Sequence, residues 1–395
     1  MIHLPIALLE QAHGYFGGSE RLALAHFTQM KNMNVDVQLF YSGPLSPEWS
    51  LRMQGHSIRS LPKSIPRNFQ EANSLFRFLR ELAGFDRVLI HHHIEPFLAL
   101  YVTKLYGKKS IWYAGAPLEF AWEDFITGLD YRSLSTTVFK TSEKFYGRAF
   151  TSLVLSDFLF KTSVRIARTA DIQTLNSCMK ILANSRFTSK FVSEAYGLKR
   201  SPVVVYPGTD PILEELASRH ESRDDNYALI VGPLIPRKNF EAALAAAACT
   251  PSACVVAVGD GQGRKALVDL AERQNLSFRI ESSLSERRLA ELYSTCGFLA
   301  NMSLFETFGL AVLEAGLFGK PCLVPDRGGP SEIVINGETG YLVNPKDLRS
   351  VSEKMKQLFE NRSLRHEMGK KARQRILKDF TIEKSTRNLL KEIEV

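Results

Sequence analysis

SLFETFGLAVLE, at residues 303–314, places two carboxylates, Glu306 and Glu314, eight positions apart on either side of the pair Phe308-Gly309. The apolar run after the glycine predicts a buried helix that begins at a glycine turn. A helix start offers free backbone N–H groups and positive dipole character, which suit a phosphate. Each flanking carboxylate could accept hydrogen bonds from a diol. The pattern therefore favours a ligand with sugar hydroxyls, phosphates and ribose hydroxyls in that order.

The spacing of the two glutamates is compatible with such a ligand, because eight helical residues rise about 12 Å. The alternative is an ordinary loop-to-helix junction, since helices often carry acids near their start. A single pair of acids is compatible with both a ligand site and an ordinary loop-to-helix junction, so the rest of the chain must distinguish between them.

Strands and helices alternate on both sides of this segment. In the second half the predicted strands are 227–231, 253–258, 278–280, 298–300 and 321–324, with helices near 239–249, 262–274, 285–293 and 308–318. In the first half the predicted strands are 6–9, 35–41, 87–90 and 109–113, with a helix from Ser19 and an amphipathic helix at 71–83 whose apolar face is Ala72, Leu75, Phe76, Leu79 and Leu82. Near-continuous apolar strands that alternate with helices predict α/β domains with parallel sheets covered on both faces.

Two such halves predict two Rossmann-like domains, since 395 residues exceed the size at which one core usually keeps growing. We expect the first domain at 1–205 and the second at 206–379, with the boundary leading into the polar stretch 218–226. Ligands of open α/β sheets bind at the carboxyl ends of the strands, so two domains that face each other through those ends would enclose a cleft.

The net charge of +8 lies entirely in the first half of the chain. Residues 1–205 hold 24 Lys and Arg against 16 Asp and Glu, out of 50 and 42 in the whole chain. A basic half indicates an anionic partner such as a phospholipid surface, a lipid diphosphate or nucleic acid, or else a solvated face without a partner. Residues 138–168 interleave six basic residues with phenylalanines, which suits a membrane interface, nucleic acid or a core with a basic outer face.

The cell compartment is predicted from what the chain contains. No apolar run reaches the roughly 18 residues that span a bilayer, and the first 21 residues do not resemble a signal peptide. Five cysteines without a CxxC pair indicate reduced thiols. We expect a cytoplasmic protein.

Three other short segments combine glycine or basic residues with a predicted strand end. Gly17-Gly18 follows the first strand and opens a helix, so the backbone there could approach a phosphate or sugar closely. Arg237 and Lys238, in IVGPLIPRKN, would lie near a helix start, where Lys238 could act as a point charge for a diphosphate. Gly259 would lie on the rim of the same site. Each segment also fits a plainer role, a tight turn or a solvated basic pair.

The histidines carry a weaker signal. In the run His91-His92-His93 only His91 and His93 can share a strand face, and no carboxylate spacing supports a metal site, so we interpret them as structural or surface residues. His13 lies in the loop before Gly17, where an acceptor hydroxyl could sit.

In this order the segments resemble family 4 glycosyltransferases of the GT-B fold, over nearly the whole length of the chain. The matching segments are GGSER at 17–21, ANSRFTSKFV at 183–192, VVVYPGTD at 203–210, IVGPLIPRKN at 230–239, the Glu306/Glu314 pair and the GG-x-x-E match at 328–332. YAGAPLEFAWED at 113–124 resembles a segment of mannosyltransferases that build lipid-linked or surface polysaccharides.

The resemblance implies roles for these residues. Glu306 would hold the transferred sugar and Glu314 the ribose, while Lys238 and the backbone at Phe308 and Gly309 would bind the diphosphate. The candidate catalytic residues are Glu306, Lys238 and His13, and the candidate donor-binding residues are Gly17, Gly18, Arg237, Lys238, Gly259, Glu306, Thr307, Phe308, Gly309, Leu310 and Glu314. Residues from about 380 to 395 would form a helix that closes back on the first domain.

The resemblance also implies the substrates. The donor would be a nucleotide diphosphate sugar, GDP-mannose or a UDP-sugar, used with retention of configuration and without an obligatory metal or other cofactor. The acceptor would be a glycan or a lipid-linked saccharide, and the basic first domain could bind the inner face of an anionic membrane peripherally. No nucleic acid is expected as a partner, because the chain contains no recognised nucleic-acid-binding module.

Two positions depart from the family pattern. Pro233 stands where the family usually has an arginine, and proline can neither donate nor carry charge. Gly115 stands where the mannosyltransferase segment has a histidine. These departures motivate the alternative of a non-catalytic homologue that binds a partner enzyme or a saccharide.

Overall fold

The computed structural model describes residues 4–11, 17–63, 66–91, 96–114, 166, 169–170, 172–219 and 223–394. Two parallel sheets with helices confirm the predicted α/β class. The chain divides into two compact units, Met1–Tyr206 with Thr386–Val395, and Pro207–Ser385.

The first unit contains a seven-stranded sheet in the order β3-β2-β1-β4-β5-β6-β7. Its elements are β1 (Ile6–Gln11), α1 (Gly18–Asn32), β2 (Val37–Ser42), α2 (Pro47–Arg52), β3 (Ile58–Arg59), α3 (Phe69–Glu81), β4 (Arg87–His91), α4 (Pro96–Tyr106), β5 (Ser110–Ala114), β6 (Lys180–Ala183), α5 (Arg186–Tyr196) and β7 (Val203–Val204). In register, Ile6 of β1 lies opposite Val37 of β2 on one side and Arg87 of β4 on the other. The strand order therefore reverses between β1 and β4.

The second unit contains a six-stranded sheet in the order β10-β9-β8-β11-β12-β13, which is the Rossmann order 3-2-1-4-5-6. Its elements are α6 (Pro211–Arg219), β8 (Ala228–Val231), α7 (Phe240–Ala247), β9 (Cys254–Val258), α8 (Arg264–Arg273), β10 (Ser277–Glu281), α9 (Glu286–Thr295), β11 (Phe298–Ala300), α10 (Leu310–Leu317), β12 (Cys322–Pro325), α11 (Pro330–Ile333), β13 (Gly340–Val343), α12 (Leu348–Glu360), α13 (Arg362–Asp379) and the start of α14 (Ile382–Glu394). The order reverses between β8 and β11.

The sequence explains these elements locally. The strands ALIV of β8 and CVVAV of β9 are apolar on both faces because helices cover both sides of the sheet. Several helices begin at a polar cap: Ser285 accepts from the backbone N–H of Arg288, and Asp347 from that of Ser350. Short strands such as β3, β6 and β13 were not predicted, because two to four residues carry little pattern.

The apolar face predicted for the helix at 71–83 is wrong in part. Helix α3 forms, but Phe76 is 67% exposed. Phe78 is buried instead, and its ring packs edge-to-face on Phe40 at a centroid distance of 5.3 Å. The inner stripe is thus Leu75, Phe78, Leu79 and Leu82, with the i, i+3, i+4, i+7 spacing; Phe78 and Leu82 are buried, and Leu75 and Leu79 are half-buried. Ala72, which the prediction also placed on the apolar face, is exposed like Phe76.

The last helix, α14, is bonded at its end to strands of the first unit. The Arg87 side chain donates from Nε to the carbonyl of Ile393 at 2.8 Å, and Lys180 donates from Nζ to the carbonyl of Glu392 at 2.8 Å. In the part of the chain that the structure describes, no helix has the length and apolarity that crossing a bilayer requires.

Candidate functional site

The candidate site lies in the second unit, where the strand order reverses. Strands β8 and β11 are parallel neighbours, so the loops that follow their carboxyl ends share one edge of the sheet. The loop after β8 runs through a single helical turn at Pro236–Lys238, and the loop after β11 leads to Glu306. Leu304 donates its backbone N–H to the carbonyl of Arg237 at 2.8 Å, which fixes one loop against the other.

Lys238 and Glu306 form a salt bridge between these two loops. Their side chains are 14% and 18% exposed, so both charges are largely shielded from water. Burial by itself raises the pKa of Glu306, but the charge and hydrogen bond of Lys238, with Arg237 and Asn301, outweigh it and hold that pKa below its ordinary value. The site therefore presents an ionised carboxylate beside an ammonium group.

Glycines allow the loops after β8 and β9 to approach at backbone distance. Gly232 donates its N–H to Val258 at 2.9 Å, and Leu234 donates to Asp260 at 2.9 Å. A Cβ on Gly259 would overlap the carbonyl of Gly232, and one on Gly232 would come within 3.3 Å of Cε of Lys238. The absence of a side chain at Gly259 thus allows the loop after β9 to pack directly on the backbone of Gly232, which lies beside Lys238.

A second glycine pair supports the loop that carries Glu306. Gly329 donates its N–H to the carbonyl of Glu306 at 2.9 Å, and a Cβ on Gly329 would overlap the backbone of Thr307 and Phe308. Gly309, with φ of 100°, caps helix α10 in the left-handed region that favours glycine. The sequence identifies Gly259 and the segment 328–332 that contains Gly329, but only the fold shows that Gly329 packs against the 306–308 backbone.

Glu314 is the fifth residue of α10 and is almost fully buried. The hydroxyl of Tyr293, on α9, donates to Oε2 of Glu314 at 2.7 Å. Sequence reasoning missed Tyr293, because an apolar helix position in α9 carries no sign of a partner 21 residues away.

The structure places the predicted site residues in two groups. The second unit brings together, at the carboxyl edge of its sheet, the residues Arg237, Lys238, Gly259, Glu306, Thr307, Phe308, Gly309, Leu310 and Glu314. Gly17 and Gly18 belong to the first unit, where Gly17 donates its N–H to Glu20 Oε2 at 3.1 Å at the start of α1. His13 and Gly115 lie outside the described residues.

The reversal point of the first sheet holds a buried polar chain. Glu10 ends up beside His91 at the carboxyl ends of β1 and β4, with Oε2 at 3.2 Å from Nδ1 of His91. Nε2 of His91 lies 2.9 Å from Nδ1 of His26. Burial lowers the pKa of His26 to about 3 and raises that of Glu10 well above its ordinary value, the latter with help from Glu20. His91 is therefore a core residue, one of the two roles that the sequence left open.

Within the described residues, no group of three or more His, Cys, Asp or Glu side chains is arranged to hold a metal ion.

Comparison with known families identifies the class of this chain. Residues 16–212 match the model described as Glycosyltransferase Family 4, and residues 213–375 match that described as Glycosyl transferases group 1. The chain belongs to this family of glycosyltransferases, as the sequence motifs predicted.

Two curated relatives and one solved structure show what the chain is similar to. The chain is 32% identical to N-acetyl-alpha-D-glucosaminyl L-malate synthase of Bacillus anthracis over 32% of this chain and 33% of that protein. It is 26% identical to the alpha-1,3/1,6-mannosyltransferase ALG2 of Dictyostelium discoideum over 53% of this chain and 59% of that protein. The crystal structure of Anabaena HepE in complex with UDP and glucose superposes with a TM-score of 0.69 at 15% identity, covering 99% of this chain and 100% of that one.

The structural match and the sequence matches support different conclusions. The structural likeness confirms the GT-B fold with two Rossmann-like domains. The alignments to the two curated relatives span only 33% and 59% of their lengths, so they establish kinship without defining a common substrate.

Proposed function

We propose that this chain transfers a sugar from a nucleotide diphosphate sugar to a glycan or lipid-linked saccharide acceptor. The observation that carries the proposal is the salt bridge between Lys238 and Glu306 at the reversal point of the second sheet. An ammonium group for phosphate and a carboxylate for sugar hydroxyls stand side by side there, next to the start of α10. Glu314, one and a half turns into that helix, would accept the ribose hydroxyls.

The donor is proposed as GDP-mannose or a UDP-sugar. Support for a UDP-sugar comes from the fold shared with a protein solved with UDP and glucose, and support for mannose from the kinship with a mannosyltransferase. Because Pro233 carries neither a charge nor a donor, neutralisation of the diphosphate would rest on Lys238, helped by Arg237 or by Arg264.

The chemistry we propose is transfer with retention of configuration and without an obligatory metal. Lys238 and the backbone N–H groups at Phe308 and Gly309 would stabilise the charge that develops on the leaving diphosphate. The acceptor hydroxyl would attack on the face that the diphosphate leaves, with the departing phosphate as base. A retaining hydrolase would instead need two carboxylates about 5 Å apart across the scissile bond. From the sequence alone, we propose His13, which precedes Gly17 in the chain, as a residue near the acceptor hydroxyl.

The partner on the acceptor side is proposed as an anionic membrane surface on the cytoplasmic side. Support comes from the excess of basic residues in 1–205 and from the outer side of α3, where Phe69 and Phe76 are 85% and 67% exposed beside Arg77 and Arg80. Exposed aromatic side chains with neighbouring cations suit a lipid headgroup region.

A panel of nucleotide sugars tests the proposal. Donor hydrolysis and transfer by the wild-type protein should be strong with one donor, and Glu306→Gln should reduce the rate by about 10²-fold or more, because hydrogen bonds to the sugar are lost in the transition state. Glu338→Gln, an exposed change in the same unit, is the control and should keep the wild-type rate. If wild-type protein binds no nucleotide diphosphate in calorimetry, the result favours the non-catalytic alternative over the proposed transfer. An unchanged rate in Glu306→Gln would contradict the sugar-holding role of Glu306.

A further inference from the structure

The hydroxyl group of Tyr293 and the carboxylate of Glu314 form a hydrogen bond in the interior of the second unit. The donor–acceptor distance is 2.7 Å, Tyr293 is fully buried and Glu314 is almost so. A carboxylate can accept at about four lone-pair positions, and one phenol occupies a single one of them. The bond therefore sets the direction of one oxygen of the carboxylate.

Tyr293 is itself held firmly. Its ring stacks on Phe318 with centroids 5.7 Å apart and an interplanar angle of 21°. The helix that carries it is fixed by Tyr227, whose hydroxyl lies 2.8 Å from the carbonyl of Leu292 and 2.8 Å from Oγ1 of Thr295. A donor whose own position is fixed by packing can set the direction of a neighbouring carboxylate.

We propose that Tyr293 is a positioning residue for the nucleoside end of the donor, which orients Glu314 so that it accepts from the ribose diol. This inference rests on the proposed function, since it assumes a nucleotide donor. It follows that the site should distinguish ribose from deoxyribose. A buried acceptor that is built to receive a hydroxyl group is left without its donor when that hydroxyl is missing, and such gaps discriminate strongly.

The discrimination between ribose and deoxyribose is therefore the quantity to measure. Calorimetry would compare UDP with 2′-deoxy-UDP, and GDP with 2′-deoxy-GDP, for wild type, Tyr293→Phe and Glu314→Gln. Wild type should prefer the ribonucleotide by about 10-fold or more. In Tyr293→Phe this preference should fall several-fold, since the ring stack is kept and the donor is lost, and in Glu314→Gln it should nearly vanish.

Tyr227→Phe is the matched control. It removes a buried hydroxyl that bonds to the same helix but does not touch Glu314, so it should keep the wild-type preference even if it lowers the melting temperature. If Tyr293→Phe does not fold, Glu314→Asp, which draws the carboxylate back from the Tyr293 hydroxyl by one methylene, should lower the preference several-fold, and an unchanged preference in that variant would also overturn the positioning role.

The outcomes separate the two proposals. An unchanged preference in a folded Tyr293→Phe would overturn the positioning role while the donor proposal stood. Equal loss of preference in Tyr293→Phe and Tyr227→Phe would show that the effect is structural, which also overturns it. Absence of nucleotide binding in wild type would overturn the proposed function, and the inference with it.

Discussion

Lys238 and Glu306 are 68 residues apart in the chain and form a salt bridge between the two loops that flank the reversal point of the second sheet. Each charge compensates the other where water has little access. Because burial alone raises the pKa of Glu306, the carboxylate stays ionised through its contact with Lys238. The ion pair is therefore both a structural tie between two loops and the source of the charge state that we assign to the site.

Removal of Lys238 should leave Glu306 as an uncompensated buried acid. In wild type the pKa of Glu306 is lowered, so its contribution to stability is present above the unfolded value of about 4.5 and is lost as the pH falls through the folded value. In Lys238→Met burial should raise the pKa, which reverses the sign. We expect a loss of about 2 kcal/mol at pH 7 that shrinks towards pH 4.5. Urea unfolding at both pH values measures it.

The double variant Lys238→Met/Glu306→Gln is the control for this prediction. It removes both charges, so it should regain most of the stability that Lys238→Met loses at pH 7. Equal destabilisation of the single and the double variant would show that the lysine acts through packing of its aliphatic stem on Gly232 and not through its charge.

Substitution of Gly329 should disturb the loop that carries Glu306. A Cβ there would overlap the backbone of Thr307 and Phe308. Because these are backbone atoms, the overlap can be relieved only if the whole loop that carries Glu306 shifts. We expect Gly329→Ala to cost about 2–4 kcal/mol and to weaken nucleotide binding in calorimetry. Gly84→Ala, where an added Cβ meets nothing within 4 Å, should behave as wild type. Wild-type stability and binding in Gly329→Ala would mean that the loop relaxes freely.

The sequence predicted the fold because its information is local and repeated. Runs such as VQLFYS before Gly43 and CVVAV before Gly259 are long enough, and apolar enough, to be recognised as buried strands, and the glycine after each run marks where the strand ends. Positions within one loop, such as Glu306 and Gly309, were identified for the same reason. The helix α3 was found, but its periodicity fits two neighbouring faces, so the burial of Phe78 could not be separated from that of Phe76.

Contacts between elements that are far apart in the chain could not be predicted from the sequence. Tyr293 meets Glu314, and His26 meets His91, across 21 and 65 residues, and neither partner has a local pattern that points to the other. Only the order of the strands brings these pairs together. Charge state follows the same rule, since the pKa of Glu306 depends on Lys238 from a different loop.

The buried histidine of α1 should make stability depend on pH. Burial lowers the pKa of His26 to about 3, whereas the unfolded chain binds a proton below about 6.5. The stability that depends on neutral His26 is therefore present above pH 6.5 and lost as the pH falls from about 6.5 towards 3, by about 2 kcal/mol at pH 5. His26→Gln keeps a polar group beside His91 but does not titrate, so its unfolding free energy should fall less between pH 7.5 and 5.

The matched control for His26 is His366→Gln, which changes an exposed histidine and should keep the wild-type pH dependence. Glu10 and His91 are present in all three proteins, so the comparison isolates position 26. A pH dependence in His26→Gln as steep as that of wild type would show that His26 accepts a proton in the folded state.

The outer side of α3 should decide membrane binding, if the chain binds membranes as we propose. Phe69 and Phe76 are the exposed aromatic side chains of this helix, and replacing both by serine removes apolar surface without touching the buried Phe78. We expect the Phe69→Ser/Phe76→Ser variant to cosediment several-fold less with anionic vesicles than wild type, because insertion of the two rings adds to the attraction of the basic residues. Leu377→Ser, which changes a side chain that is 47% exposed in the second unit, is the control and should bind as wild type.

Added salt should weaken the binding of wild type and control alike, since the charge attraction is screened over about 10 Å at 0.1 M. Vesicle binding that is equal in the double variant and the control would place the membrane contact elsewhere in the first domain, and binding unaffected by salt would contradict the role of its basic charge.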